Sequence, residues 1–167
     1  MSFPDDLSIR FATASDCAVI LGFIRELAAY ERLAHEVTAD EAQLRATLFG
    51  ARPAAEVLIV ELGGAPVGFA LFFPSYSTFL GKPGLYLEDL FVRPQFRRRG
   101  LARAMLATLA RECVENGYTR LSWAVLDWNA NAIALYNAVG GRQQSDWITY
   151  RVSGPELSAL AEPEPES

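Results

Sequence analysis

The sequence predicts an α/β (α+β) fold: a mixed central sheet of about six to seven strands with helices on both faces. Two apolar runs meet at Gly63-Gly64-Ala65-Pro66, a hairpin signal, so the strands of the first half are expected to run antiparallel. In the second half strand patterns alternate with helical ones, which puts crossover helices against a sheet. Between them lies one continuous strand, basic glycine loop and amphipathic helix, from Leu85 to Asn116. With 167 residues, 51% of them hydrophobic, the chain is expected to build one domain with a substantial core. Its bounds are drawn at 1–153, with 154–167 as an acidic, flexible tail.

Leu7 to Phe11 alternates and reads as the first strand. Thr13-Ala14-Ser15-Asp16 has the form of a capping box, so a helix follows to about Tyr30. Val19, Ile20, Phe23, Ile24, Leu27 and Ala28 give it one apolar face. Leu33 to Val37 is a loop with the single histidine, His35, which is expected to be exposed. Asp40 to Phe49 is a shorter helix, stopped by Gly50 and Pro53. Glu56 to Leu62 and Val67 to Phe73 are the hairpin strands, and Pro74 to Gly84 reads as a long loop. Leu85 to Val92 is a strand stopped by Arg93-Pro94. In the next helix Ala102, Met105, Leu106, Leu109, Ala110 and Cys113 form the expected buried stripe, and Asn116-Gly117 ends it. Leu121 to Leu126 is a strand, Asn129 to Val139 a short helix, and Trp147 to Val152 a last strand. The end, A-E-P-E-P-E-S, has the composition of a frayed segment.

The formal net charge of −5 argues against nucleic acid, whose binding draws on a basic surface, and suits a cationic substrate. No run of about 18 apolar residues occurs, so no membrane span is expected. The first residues lack the basic and apolar regions of a signal peptide. Cys17 and Cys113 fall on apolar helix faces and read as buried free thiols, which fits a cytoplasmic protein. One histidine and two scattered cysteines give no basis for a metal site.

The chemistry concentrates between Leu85 and Arg103. Arg97-Arg98-Arg99 and Gly100 stand directly before a helix start, where unpaired N–H groups and partial positive charge attract anions. Neither G-x-G-x-x-G nor G-x-x-x-x-G-K-S/T is present. The motif is R-x-x-G-x-A, as Arg97, Gly100 and Ala102, after a strand ending V-R-P. Taken alone, an arginine run is also a solvated turn. Glu88 and Asp89 form an acidic pair inside an apolar strand. Neighbouring strand residues face opposite ways, so only one is expected in any one cleft. The structural alternative for Glu88 is a buried ion pair with an arginine such as Arg120.

R-x-x-G-x-A resembles the acetyl-CoA motif of the GNAT N-acetyltransferases. L-Y-L-E-D-L-F-V (85–92), V-L-D-W-N (125–129) and A-I-A-L-Y-N-A-V-G (132–140), in that order, are similar to the spermidine/spermine (diamine) and thialysine acetyltransferase branch. The resemblance covers roughly residues 7 to 152. It implies an enzyme that moves an acetyl group from acetyl-CoA, as co-substrate, to a primary amine of a small molecule by direct attack. It also implies a homodimer.

By that resemblance Arg97, Arg98, Arg99, Gly100, Leu101, Ala102 and Arg103 would hold the pyrophosphate. Leu90, Phe91 and Val92 would pair with the pantetheine arm, with a strand bulge turning one N–H to the thioester carbonyl. Asn129 and Ala132 would contact CoA, Tyr136 would protonate the leaving sulfur, and Glu88 would act as base through water. Taken alone, a tyrosine on a short helix such as Tyr136 is more often a core residue with its hydroxyl satisfied, and Asn129 reads also as a plain helix N-cap. Asp89 is assigned a structural or hydrogen-bonding role. Tyr30, Glu31, Tyr76, Glu88, Asp127 and Trp147 are candidates for the acceptor pocket. Tyr76-Ser77-Thr78 follows the thialysine type and lacks the acid of the polyamine type, which favours a shorter amine or an amino-acid side chain. A carboxylate on the acceptor would then need an arginine, with Arg120 and Arg142 as candidates. Two other readings stay open: an acyl-CoA-binding or sensing domain without catalysis, and a peptide or protein N-acetyltransferase with a groove under the 74–84 loop.

Overall fold

The computed structural model describes Pro4 and residues 6–162. The chain divides into two compact units, residues 1–130 and 131–167. In the first, β1 (Leu7–Phe11), β2 (Glu56–Leu62), β3 (Ala65–Ser77), β4 (Lys82–Val92) and β5 (Leu121–Trp123) form one sheet in that order. The first four run antiparallel, and β5 joins β4 in parallel. Helices α1 (Cys17–Tyr30) and α2 (Glu41–Phe49) precede β2, and α3 (Leu101–Glu115) crosses from β4 to β5.

Both faces of the sheet are covered, as consecutive residues of β2 show: Leu58 and Ile59 are both fully buried. On one face Val57, Ile59, Phe69 and Phe91 pack against Ile20, Phe23 and Leu27 of α1 and Leu44 and Leu48 of α2. Phe23 stacks on Phe69 with ring centroids 5.6 Å apart. On the other face α3 packs against β2, β4 and β5. Its buried residues are Leu101, Ala104, Met105, Leu106, Leu109 and Cys113. Ala102 and Ala110, expected in that stripe, are half-buried and exposed; Leu101 and Ala104 take the inner positions.

Asp16 reaches back to the Thr13 N–H at 2.7 Å, as the capping box predicts. Arg10 bridges Asp16 and Glu61, each at 2.9 Å, and this pairing holds the Asp16 carboxyl down at about 2. Gly63 and Gly64, both left-handed, make the β2–β3 turn. Cys17 and Cys113 are buried and free, and burial raises the Cys113 thiol. His35 is exposed, beside Glu36.

Three expectations need correction. Residues 74–84 are not a long loop: β3 runs on to Ser77 and β4 begins at Lys82, so the hairpin extends with Tyr76, Phe79 and Leu80 exposed near its tip. Val67–Phe73 carries the buried pattern, but backbone pairing continues past it. β5 ends at Trp123 rather than Leu126. The sheet has five strands among the described residues, not six to seven, because Trp147 to Val152 forms none. Its alternating, β-prone sequence has no pairing partner there, and strand propensity alone does not hold a strand.

The second unit carries α4 (Ala130–Ala138) and α5 (Gly154–Ala161), neither with a buried residue. Where the tail is expected, α5 is helical; residues 163–167, its acidic end, lie outside the described residues. No helix among the described residues is long and apolar enough to cross a membrane.

Candidate active site

The candidate residues of the first unit gather where β4 ends. β4 pairs with β5 only at Leu85, Tyr86 and Leu87. From Glu88 to Val92 its edge away from β3 pairs with no strand among the described residues. On the β3 side, Leu87 pairs with Phe72 and Asp89 with Leu71, leaving Glu88 as the extra residue of a bulge. The bulge overturns the simple alternation expected for this strand. Leu87 and Asp89 lie on opposite faces although two residues apart, and Asp89 shares the α1 face with Phe91.

Two further carboxylates, Glu88 and Glu31, act on Asp89 there. Asp89 is half-buried, and burial, followed by the charges of Glu88 and Glu31, pushes its carboxyl up to about 6. Glu31, at the end of α1, is also raised by burial. Neither Glu88 nor Asp89 has an arginine partner among the described residues. Arg120, the expected partner, donates instead to the Tyr76 carbonyl at 3.1 Å. Burying acids without a counter-ion raises their proton affinity, a property suited to handling ammonium groups.

The basic loop follows directly. Arg98 and Gly100 both have positive φ, 65° and 79°, which turns the chain sharply into α3. α3 has no side-chain cap, and its first bond runs from the Ala104 N–H to the Gly100 carbonyl at 2.9 Å. The N–H groups of Leu101, Ala102 and Arg103 have no partner one turn earlier, so they present an anion-binding end. Arg97 points elsewhere. Its Nε donates to the Val92 carbonyl at 2.9 Å, and its guanidinium lies 4.4 Å over the Tyr30 ring and 5.7 Å from Phe91. Arg97 therefore joins β4 to α1, while Arg98 flanks the helix start.

Tyr30 continues the wall: its ring lies 6.0 Å from that of Trp128, and Arg32 lies 6.0 Å from the Trp128 centroid. Arg32, Asp89 and Trp128 are the residues the sequence reading did not assign to the site. Trp128 stood in the quoted V-L-D-W-N, but Arg32 gave no signal beyond its place after Tyr30-Glu31.

The other expected residues are placed separately. Asp127 is exposed in the turn beside Trp128. Asn129 ends that turn, donating its N–H to the Leu126 carbonyl at 2.9 Å. Tyr76 is not with the carboxylates: it lies five residues along β3 from Leu71, the partner of Asp89, about 17 Å at roughly 3.4 Å per residue. In the second unit Ala132 and Tyr136 are four apart on α4 and share a face. Trp147 is exposed, outside any strand. Arg142 also belongs to the second unit.

The profile of the "Acetyltransferase (GNAT) family" matches residues 22–140. The chain is 38% identical to thialysine N-epsilon-acetyltransferase of Bos taurus, over 92% of this chain and 96% of that one. It is 32% identical to L-ornithine N5-acetyltransferase of Arabidopsis thaliana, over 91% and 86% respectively. Among solved structures, an integron cassette protein from the mobile metagenome of V. cholerae superimposes with a TM-score of 0.81 at 22% identity, covering 96% of this chain and all of that one.

Proposed function

The chain belongs to the GNAT acetyltransferase family and is an N-acetyltransferase, and we propose that it transfers acetyl from acetyl-CoA to the side-chain amine of a small amino acid or a short diamine. The observation that carries this reading is the open edge of β4, bulged at Glu88 and leading straight into the uncapped start of α3. When bound, acetyl-CoA supplies the activated acetyl thioester. The N–H groups of Leu101, Ala102 and Arg103, with Gly100 and the charges of Arg98 and Arg99, hold its pyrophosphate. The edge at Leu90, Phe91 and Val92, which has no strand partner beyond β3 among the described residues, pairs with the amide-bearing arm. Asn129 and Ala132 are assigned to CoA by the resemblance, and Arg97 secures the wall beside it.

The amine arrives as an ammonium and must lose a proton before it attacks. Glu31, Glu88 and Asp89 attract the cation. Glu88 takes the proton through water, and Asp89, ionising near 6, adds a second carboxylate of raised basicity. A backbone N–H at the bulge stabilises the oxyanion that develops on the thioester carbonyl. Tyr136 returns a proton to the departing thiolate, a role resting on the match of its D-W-N-x-x-A-I-x-L-Y stretch. We read residues 1–153 as the transferase domain of a cytoplasmic homodimer.

The relatives named for thialysine and ornithine, and the Tyr76-Ser77-Thr78 sequence, favour a short acceptor. A peptide acceptor loses its expected cover, since residues 74–84 form a hairpin. Thiol release from acetyl-CoA against thialysine, ornithine, lysine, putrescine, spermidine and a basic peptide tests the class. Turnover highest with the short amines supports it; turnover confined to the peptide refutes it.

A further inference from the structure

We propose that Arg32 is a specificity-determining residue that receives the carboxylate of an amino-acid acceptor while its amine enters the Glu31, Glu88 and Asp89 cluster. The inference rests on the small-amine reading above and goes on to ask which small amine is preferred.

The first observation is backbone strain. α1 ends in a Schellman turn: the Leu33 N–H donates to the Ala28 carbonyl at 2.8 Å and the Arg32 N–H to the Ala29 carbonyl at 3.2 Å. The residue at the left-handed position of such a turn is usually glycine, because a Cβ is disfavoured there. Here it is Arg32, with φ 62°. The fold would be better served by glycine, so the side chain needs another reason to be present.

The second observation is where that side chain goes. From the end of β4 a stack runs outward: Phe91, Arg97, Tyr30, Trp128, Arg32. Arg97 is engaged with the Val92 carbonyl, and Arg93 with Glu26 and the Pro66 carbonyl. Arg32, at the outer end, has no ion pair or side-chain hydrogen bond among the described residues. Its neighbour in the chain, Glu31, is one of the carboxylates acting on Asp89. Glu31 and Arg32 adjoin in the chain, so an acceptor whose ammonium meets Glu31 has a planar cation beside it. That pattern matches a molecule with an ammonium and a carboxylate, and a guanidinium can bind a carboxylate in bidentate fashion.

Ornithine and putrescine differ only by that carboxylate, so their kcat/KM ratio isolates it. Arg32→Gly should lower the ornithine-to-putrescine ratio roughly tenfold or more, mainly through the KM for ornithine. It should not lower Tm, because glycine suits the turn. Arg32→Lys should recover part of the ratio. An Arg32→Gly ratio equal to the wild type's, with both substrates turning over, would overturn the role of Arg32 and leave the small-amine reading standing. If the wild type turns over none of ornithine, thialysine, lysine, putrescine and spermidine, the small-amine reading fails and this role fails with it.

Discussion

Replacing Asp89 by asparagine removes a charge that the fold holds against burial and two neighbouring carboxylates. The Asp89 carboxyl moves from 3.8 to about 6, a difference of about 2. At about 1.4 kcal/mol per pH unit this is up to roughly 3 kcal/mol of native-state cost. The sign follows from the direction. Below 3.8 the group is protonated in both folded and unfolded chains, and the cost is absent. As pH rises towards 6 the unfolded chain ionises first, and above 6 the folded protein bears the whole cost. Asp89→Asn should therefore match the wild type near pH 3 and exceed it by up to roughly 3 kcal/mol near pH 7.5. Urea unfolding at the two pH values, compared at equal m, measures the gain. A gain that is the same at both, or a variant less stable near pH 7.5, would show that Asp89 is not a burdened carboxylate and would remove it from the proposed base.

Asp16 should behave in the opposite sense. Its carboxyl is depressed from 3.8 to about 2 by Arg10, so its stabilisation is present above 3.8 and lost as pH falls through 2. Asp16→Asn should cost roughly 2 kcal/mol at neutral pH and little near pH 2, read by thermal or urea unfolding. Gly68→Ala should destabilise by roughly 1–3 kcal/mol, because a Cβ there runs into the Phe91 carbonyl oxygen across the end of β4. Unfolding equilibria check the loss, and acetyl-CoA affinity should weaken with it.

The central part of the fold was legible because several signals coincided there. Val19 to Ala28 had helical spacing, Thr13-Ala-Ser-Asp16 had a cap, and Gly63-Gly64 had a turn; each corresponds to the element found. The second half was less legible because its strands depend on neighbours. Trp147 to Val152 has the composition of a strand but pairs with none of the described strands. The pattern around Tyr76 does not encode the length of the hairpin that carries it away from the carboxylates. The bulge at Glu88 was invisible to alternation, since one extra residue resets the faces without altering the composition. Arg32 was missed because a left-handed backbone at a non-glycine residue leaves no mark in the sequence.

The central claim is acetyl transfer to a small amine at the carboxylate end of β4. Its most direct test is thiol release from acetyl-CoA with ornithine or thialysine, with the product weighed for one added acetyl group, in the wild type, Glu88→Gln and Tyr136→Phe. The account predicts one thiol per acetylated amine in the wild type and a fall of roughly 100-fold in each variant. Tight acetyl-CoA binding with no thiol released by any small amine, or full activity in both variants, would contradict it.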